Sequence, residues 1–271
     1  MINIQIVSDI HAEFWAKKQK FNFIKPAAPI LALLGDICCC GSSEDFEIFK
    51  RFILEVEPLY EHIIFVAGNH EYYFNPEKKL APTYEHTMQG IDAKIKSFFK
   101  ETSPKLHYLN NSTMKLTTKK DTYLFVGSTL WSWIPEDRRV DIQTGMHDYQ
   151  YIYVYENDKC RRLNATDVAN LHLKNYKYIK SQVSRAKKLG YKVVVLTHHK
   201  PYVSENYNAA SLDPAYESDL SSLFNAPVVL WGYGHTHIAD NTIQGKIWLY
   251  SNPKGYPKQK TKYNKYAAID I

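Results

Sequence analysis

A chain of 271 residues with 45% apolar and 23% charged side chains sits near globular averages, so it is expected to bury a sizeable core as one large domain. Its formal net charge of +6 suits anionic, phosphate-bearing partners and is too small to identify a nucleic-acid-binding protein by itself. With no basic leader and no run near the ~20 apolar residues of a membrane span, the expectation is a soluble, cytoplasmic protein without membrane association.

Residues 2–7 alternate apolar and polar as a strand does, then break into S-D-I-H. Residues 29–34 form a continuous apolar run into Gly35-Asp36, the pattern of a strand buried on both faces. Cys38, Cys39 and Cys40 follow; with the distant Cys160 they lack paired spacing and read as free thiols in a reducing compartment. They are expected as small buried residues beside Asp36, the alternative being a redox-sensitive wall. Helical periodicity covers 44–56 behind Ser42-Ser43, and a third apolar run, 62–67, closes on G-N-H-E. A looser stretch at 72–82 precedes a predicted helix over 84–100. Strands are predicted over 106–109, 113–117 and 122–127, the last two joined by K-K-D.

From 131 to 162 periodicity fails, which marks an irregular insertion at about 128–164, expected to act as a lid or substrate wall. Arg138, Arg139, Arg161 and Arg162 flank it, as a solvated face or as a phosphate clamp. Trp131 and Trp133 read either as packing beneath the loop or as a stacking platform. A long amphipathic helix over 166–189 stops at Gly190. Strands over 191–196 and 227–231 run into T-H-H-K-P and G-Y-G-H-T-H, and strands over 246–250 and 266–271 are expected to close a second sheet. The fold class is therefore α/β, with two packed mixed β-sheets flanked by helices in a single domain, 1–271. The late stretch K-G-Y-P-K-Q-K-T-K-Y-N-K-Y reads as a charged loop, with a nucleic-acid surface as the alternative.

Five segments stand in order, each just past an apolar strand: Asp9-x-His11, Gly35-Asp36, Gly68-Asn69-His70-Glu71, His198-His199 and Gly234-His235-x-His237. Strand-end loops form the ligand-binding edge of α/β sheets, so the five can converge. Imidazole, carboxylate and amide donors without a required thiolate suit Mn, Fe, Zn or Mg rather than a structural cysteine-type zinc.

In order and residue type these segments resemble the calcineurin-like metallophosphoesterase superfamily, whose pattern is D-x-H, G-D, G-N-H-[DE], H and G-H-x-H. T-L-W, D-Y-Q-Y-I, S-D-L before the last motif and N-P-K-G-Y after it extend the likeness over nearly the whole chain and look like one bacterial-type branch. The resemblance implies an αββα sandwich and a dinuclear metal-dependent phosphoesterase. Such an enzyme hydrolyses a phosphate mono- or diester by in-line attack of a metal-bridging hydroxide, with no covalent phosphoenzyme. It implies that Asp9, His11 and His237 hold one divalent ion, that Asn69, His198 and His235 hold a second, and that Asp36 bridges both. Asp36 and His70 would carry the chemistry, His70 protonating or steadying the leaving oxygen.

Asn69 and His199 are expected to touch substrate. The family needs one ligand where T-H-H-K-P offers two; strand register favours His198, which leaves His199 to face substrate or support the ligand shell. Lys200 is expected to place a cation near the cleft mouth, and Glu71 to brace a ligand imidazole. Asn252, Pro253 and Tyr256 would contribute to the cleft rim. His62, His86, His107, His147 and His172 read as ordinary surface or core histidines. A phosphorylated small molecule or nucleotide is the expected partner, with nucleic acid possible. Two other classes stay open: a non-catalytic interaction scaffold on the same fold, and a nuclease-like member using the Lys/Tyr loop.

Overall fold

The computed structural model describes residues 1–15, 20–75 and 81–271; part of the looser stretch expected at 72–82 lies outside them. Strands β1 (Asn3–Val7), β2 (Ile30–Leu34), β3 (His62–Val66) and β4 (Leu106–Tyr108) run parallel, and β13 (Ala268–Asp270) pairs antiparallel with β1, in the order β13-β1-β2-β3-β4. A second sheet contains β5 (Ser112–Thr117), β6 (Thr122–Ser128), β9 (Lys192–Thr197), β10 (Val228–Tyr233), β11 (Asp240–Gln244) and β12 (Ile247–Ser251), in the order β11-β12-β10-β9-β6-β5. Its four inner strands are parallel and its two edges antiparallel.

Side-chain parity places three layers of core. Ile30, Ala32 and Leu34 of β2 face the second sheet and pack with Ile4, Ile6, Leu196 and Leu230. Leu31 and Leu33 face the other way, toward Phe49, Phe52 and Ile53 of helix α1 (Ser43–Val56) and Ile91, Ile95 and Phe99 of α2 (Met88–Thr102). Across the molecule, α5 (Ala165–Leu189) lays Ile179, Val183 and Ala186 over Val193, Val195 and Trp231. Each central strand is thus covered on both faces, which is why β2 reads as an unbroken apolar run rather than an alternation.

The helix ends follow local chemistry. Asp45 N–H donates to Ser42 Oγ at the start of α1, at 3.0 Å. Asn164 and Asp167 form a reciprocal cap on α5, whose last turn unwinds through Gly190 at φ 69. The helix expected from residue 84 starts later, because Thr87 caps α2 and Tyr84–His86 form a separate 3-10 turn.

Two sequence expectations are corrected. The strand read at 266–271 does not join the second sheet. It borders β1, where Ile269 enters the core between the sheets and Ile2 and Ile271 exchange backbone hydrogen bonds at 2.8 and 2.9 Å. A three-residue strand carries no periodic mark of the edge it will join. The insertion, read as irregular, contains α3 (Arg139–Gly145), α4 (Asp148–Tyr151) and a hairpin of β7 (Tyr153–Glu156) and β8 (Lys159–Arg162). Each piece is too short to build a period. The hairpin turns through Asn157 and Asp158, both left-handed at φ 50 and 58, as a two-residue hairpin requires.

Within that region Trp131 is buried, whereas Trp133 remains partly exposed. Arg161 is held by Asp167 and Glu156 at 2.6–2.9 Å, and Arg138 by Asp141 at 2.8 Å. Among the described residues, no helix is long and apolar enough to cross a membrane.

Candidate metal centre

The C-terminal ends of β1, β2, β3, β9 and β10 open on one edge, and the five motif loops meet there. Asp9, His11, Asp36, His235 and His237 all adopt left-handed backbone, with φ of 55, 49, 53, 68 and 55. Such conformations cost residues with a Cβ on the order of 1–3 kcal/mol each, and they persist where the surroundings over-determine them. Here neighbouring loops do so: Asp9 N–H donates to Gly35 O at 3.0 Å, His11 N–H to Asp36 O at 2.9 Å and Gly234 N–H to His198 O at 2.9 Å. A Cβ on Gly68 would lie 2.7 Å from the His198 ring, and one on Gly234 would lie 2.8 Å from Asp9 Oδ2. The motif glycines therefore let one loop's backbone lie against the next loop's donors.

Two groups of donors result. In the first, one donor atom each from Asp9, His11 and His237 lies within 4.8 Å of the others. Asp9 Oδ1 accepts His235 N–H at 3.1 Å and lies 3.3 Å from His237 Nε2. His11 Nδ1 meets Glu13 Oε1 at 3.2 Å, and His237 Nδ1 meets Gln259 Oε1 at 2.7 Å. Those oxygens only accept, so each ring carries a proton on Nδ1 and turns Nε2 inward. The two Nε2 atoms face one another at 3.2 Å, beside Asp9 Oδ1.

The second group is Asp36, His198 and His235, also within 4.8 Å. His198 Nδ1 donates to Leu34 O at 2.8 Å, which turns Nε2 to Asp36 Oδ1 at 3.4 Å and Asn69 Oδ1 at 3.1 Å. Asn69 Nδ2 donates to Asp148 Oδ1 at 2.8 Å, so the amide oxygen is the end that faces the group. His235 Nε2 is buried with no hydrogen-bond partner among the described residues. An orphaned imidazole nitrogen beside a buried carboxylate is what a cation site leaves when only its protein donors are counted. Asp36 stands between the groups, with Oδ1 toward His198 and Oδ2 3.8 Å from His11 Nε2.

The electrostatics agree. Burial alone would raise the Asp36 carboxyl, but His198 and His70 outweigh it and hold it well below the usual carboxylate range. Burial opposes a charge on His198, yet Asp36 and Asp9 push that imidazole up to about 10. Burial and the neighbouring His198 drive His235 down to about 3. The buried carboxylates keep their charge because protonated imidazoles stand where divalent ions would serve better.

His70 closes one side. Its ring stacks on Tyr73 with centroids 4.2 Å apart, and its Nε2 lies 3.3 Å from Tyr256 Oη and 4.0 Å from Asp36 Oδ2. Burial lowers its affinity for a proton, but Asp36 and Glu13 raise it further, to about 9. A cleft of about 330 Å³ opens above, floored by Asp36, Asn69, His235 and His237 and walled by Tyr73, Tyr216 and Tyr256. Met146 and His147 of the insertion and Gln259 of the lysine-rich loop complete it. A larger cavity of about 410 Å³ lies behind Tyr72 and Trp131, where Tyr72, Tyr108 and Asn110 all donate to Asp92.

Several residues sit elsewhere than the sequence suggests. His199 is 1% exposed, stacks on His235 with centroids 4.1 Å apart and does not line the cleft, so it fits a supporting position rather than a substrate contact. Lys200 is buried against Glu217 at 3.3 Å, Ser204 and the Tyr202 ring, away from the cleft mouth. Glu71 braces no imidazole. Its carboxylate instead accepts the backbone N–H groups of Asp36, Ile37, Cys38 and Gly68 at 2.6–3.3 Å and ties two motif loops together.

Asn252 supports the backbone at Ile6 and Asn264, while Tyr256 reaches the rim as expected of it. His147, read as ordinary, lines the cleft; His62 and His107 pair at 3.2 Å, and His172 packs on Trp131 O. Cys38 and Cys40 are buried, and burial pushes their thiols well up, which fits packing rather than reactivity. Glu13, Asp148 and Gln259 escaped the sequence reading. Asp148 sat within D-Y-Q-Y-I and Gln259 within the lysine-rich loop, but neither stretch marked that residue, and Glu13 lay just past the first motif with no signal of its own.

Two sheets packed face to face gather carboxylates and imidazoles at the ends of their parallel strands, a donor set that can hold divalent ions. Residues 2–239 match the family model of the calcineurin-like phosphoesterases, and the chain belongs to that family. It is 32% identical over 287 residues to a protein of Acanthamoeba polyphaga mimivirus named uncharacterized protein L509, covering 99% of this chain and 96% of that one. Among solved structures, the phosphopantetheinyl hydrolase PptH of Mycobacterium tuberculosis shares the fold with a TM-score of 0.64 at 15% identity, over 94% of this chain and 90% of that one.

Proposed function

We propose that the chain is a dinuclear phosphoesterase that hydrolyses a phosphate mono- or diester of a small molecule or nucleotide by direct in-line displacement, with no covalent phosphoenzyme. The observation that carries this reading is the pair of donor groups, Asp9–His11–His237 and Asp36–His198–His235, with Asp36 offering one oxygen to each. On this reading the first group would hold one divalent ion and the second group, with Asn69, another, with the Asp36 carboxylate shared between them. The oxygen and nitrogen donors suit Mn, Fe, Zn or Mg. When bound, two such ions supply an activated water and stabilise the attacking and leaving oxygens of the displacement.

The chain's own groups do the rest. His70 presents Nε2 to the cleft beside Tyr256 Oη, where it protonates or hydrogen-bonds the leaving oxygen. Glu13, 3.7 Å from His70 Nδ1, holds the opposite side of that ring. Met146 and His147 bring the 128–164 insertion to the cleft as a substrate wall. All seven expected donors reach the strand-end edge, which favours an enzyme over a scaffold.

The test is hydrolysis of p-nitrophenyl phosphate and bis(p-nitrophenyl) phosphate with Mn²⁺ and with chelator. Turnover is expected with Mn²⁺ only. Asp36→Ala and His235→Ala should each lower kcat/KM at least about 10²-fold, as loss of several kcal/mol of charge stabilisation requires. Equal activity in chelated and loaded protein would refute the reading.

A further inference from the structure

We propose that Asp148 is the positioning residue that makes Asn69 a metal ligand, an inference that rests on the dinuclear reading above. A side-chain amide has two ends of nearly equal shape. Only its oxygen can bind a cation; its NH2 would repel one. With an ion bound, His198 Nε2 would carry no proton to donate to the amide, so the imidazole side would not select between them. Selection comes from behind. Asp148 Oδ1 accepts the Asn69 NH2 at 2.8 Å, and an oxygen that also takes the Tyr73 hydroxyl acts as an acceptor that only the NH2 end can meet. Asp148 is 5% exposed, so water is poorly placed to replace it. The Tyr73 hydroxyl donates to the same oxygen at 2.6 Å and fixes the carboxylate, while the Tyr73 ring stacks on His70.

Asp148 belongs to the insertion between β6 and α5, not to any of the five motif loops. The insertion therefore does more than wall the cleft: it reaches beneath the cleft floor and sets the orientation of one donor. Outer groups of this kind change metal affinity by about 10–100-fold when removed.

The experiment is calorimetric titration of Mn²⁺ into metal-stripped wild type, Asp148→Ala, Asp148→Asn, Asn69→Asp and the Asn69→Asp/Asp148→Ala double variant. Gln150→Ala, at an exposed position of the same short helix, is the control. Wild type and control should take up two ions. Asp148→Ala should weaken one ion about 10–100-fold and leave the other unchanged. Asp148→Asn, which keeps an acceptor oxygen, should lose less.

In the Asn69→Asp background the loss should vanish or reverse, because a carboxylate has no wrong end and Asp148 becomes a like-charged neighbour. A merely structural Asp148 would cost the same in both backgrounds, and that result overturns the proposal. So does unchanged affinity in Asp148→Ala and Asp148→Asn. Uptake of fewer than two ions by wild type would instead bring down the dinuclear reading, and this inference with it.

Discussion

His198 shows how much one residue's chemistry depends on what folds around it. Burial opposes a proton on its imidazole, but Asp36 and Asp9 raise it from 6.5 to about 10. A base whose folded value is raised adds stability that is complete below its ordinary value and is lost as pH rises toward the folded one. Asp36, lowered below its ordinary 3.8, adds stability above that value and loses it as pH falls further. The pair therefore supports the metal-free fold best between about pH 4 and 6.5 and progressively less toward pH 10. A ligand imidazole must be neutral, so metal competes with that proton. Mn²⁺ affinity should rise with pH between 7 and 9, by up to about tenfold per unit if one proton is displaced. His235, already neutral, contributes no proton. Titration calorimetry in buffers of different ionisation enthalpy should show proton release on binding; none at pH 7.5 would contradict the charged state of His198.

At the scale of elements, the strands deliver the site and the loops after them supply its shape. Gly35 shows what a loop must satisfy. Its φ is 81, and an added Cβ would come within 2.6 Å of Gly68 N and press on the His198 ring. Gly35→Ala should lower stability by about 1–3 kcal/mol, measured by urea denaturation, and should weaken metal binding because Asp36 follows directly. A variant as stable as wild type would mean that the β2 and β3 loops are not packed as described. The same scale explains which elements were readable. The long periodic helix α5 and the unbroken apolar run of β2 announced themselves, whereas α3, α4 and β13 are short and β11 is largely exposed, so they take their place from the surfaces they meet.

Over the whole molecule, the donors run from Asp9 to His237, so the second sheet's loops are tied to the first sheet's by the charges they share. A ligand that binds only the folded chain stabilises it by mass action, by about 2.7 kcal/mol per site at a hundredfold excess over Kd. Mn²⁺ should therefore raise the melting temperature of the chelated protein by about 5 °C or more, given the usual entropy of unfolding for a chain of this size. Asp9→Ala should forfeit part of the rise. A melting curve indifferent to Mn²⁺ would argue that the two donor groups do not take up metal in the folded state.

The order of strands and motifs, the donor types and the need for glycine before Asp36, Asn69 and His235 were all written in the linear chain. Each follows from local rules: period, turn chemistry, and the few side chains that suit a hard or borderline cation. Which of two adjacent histidines turns inward, what Glu71 holds and which carboxylate orients Asn69 were decided only in three dimensions. Those outcomes depend on partners far apart in sequence, such as Leu34 with His198 and Asn69 with Asp148, and no local pattern encodes a contact between distant loops. Gln259 is the clearest case, a polar residue in a lysine-rich loop that acquires its place only when that loop folds over His237.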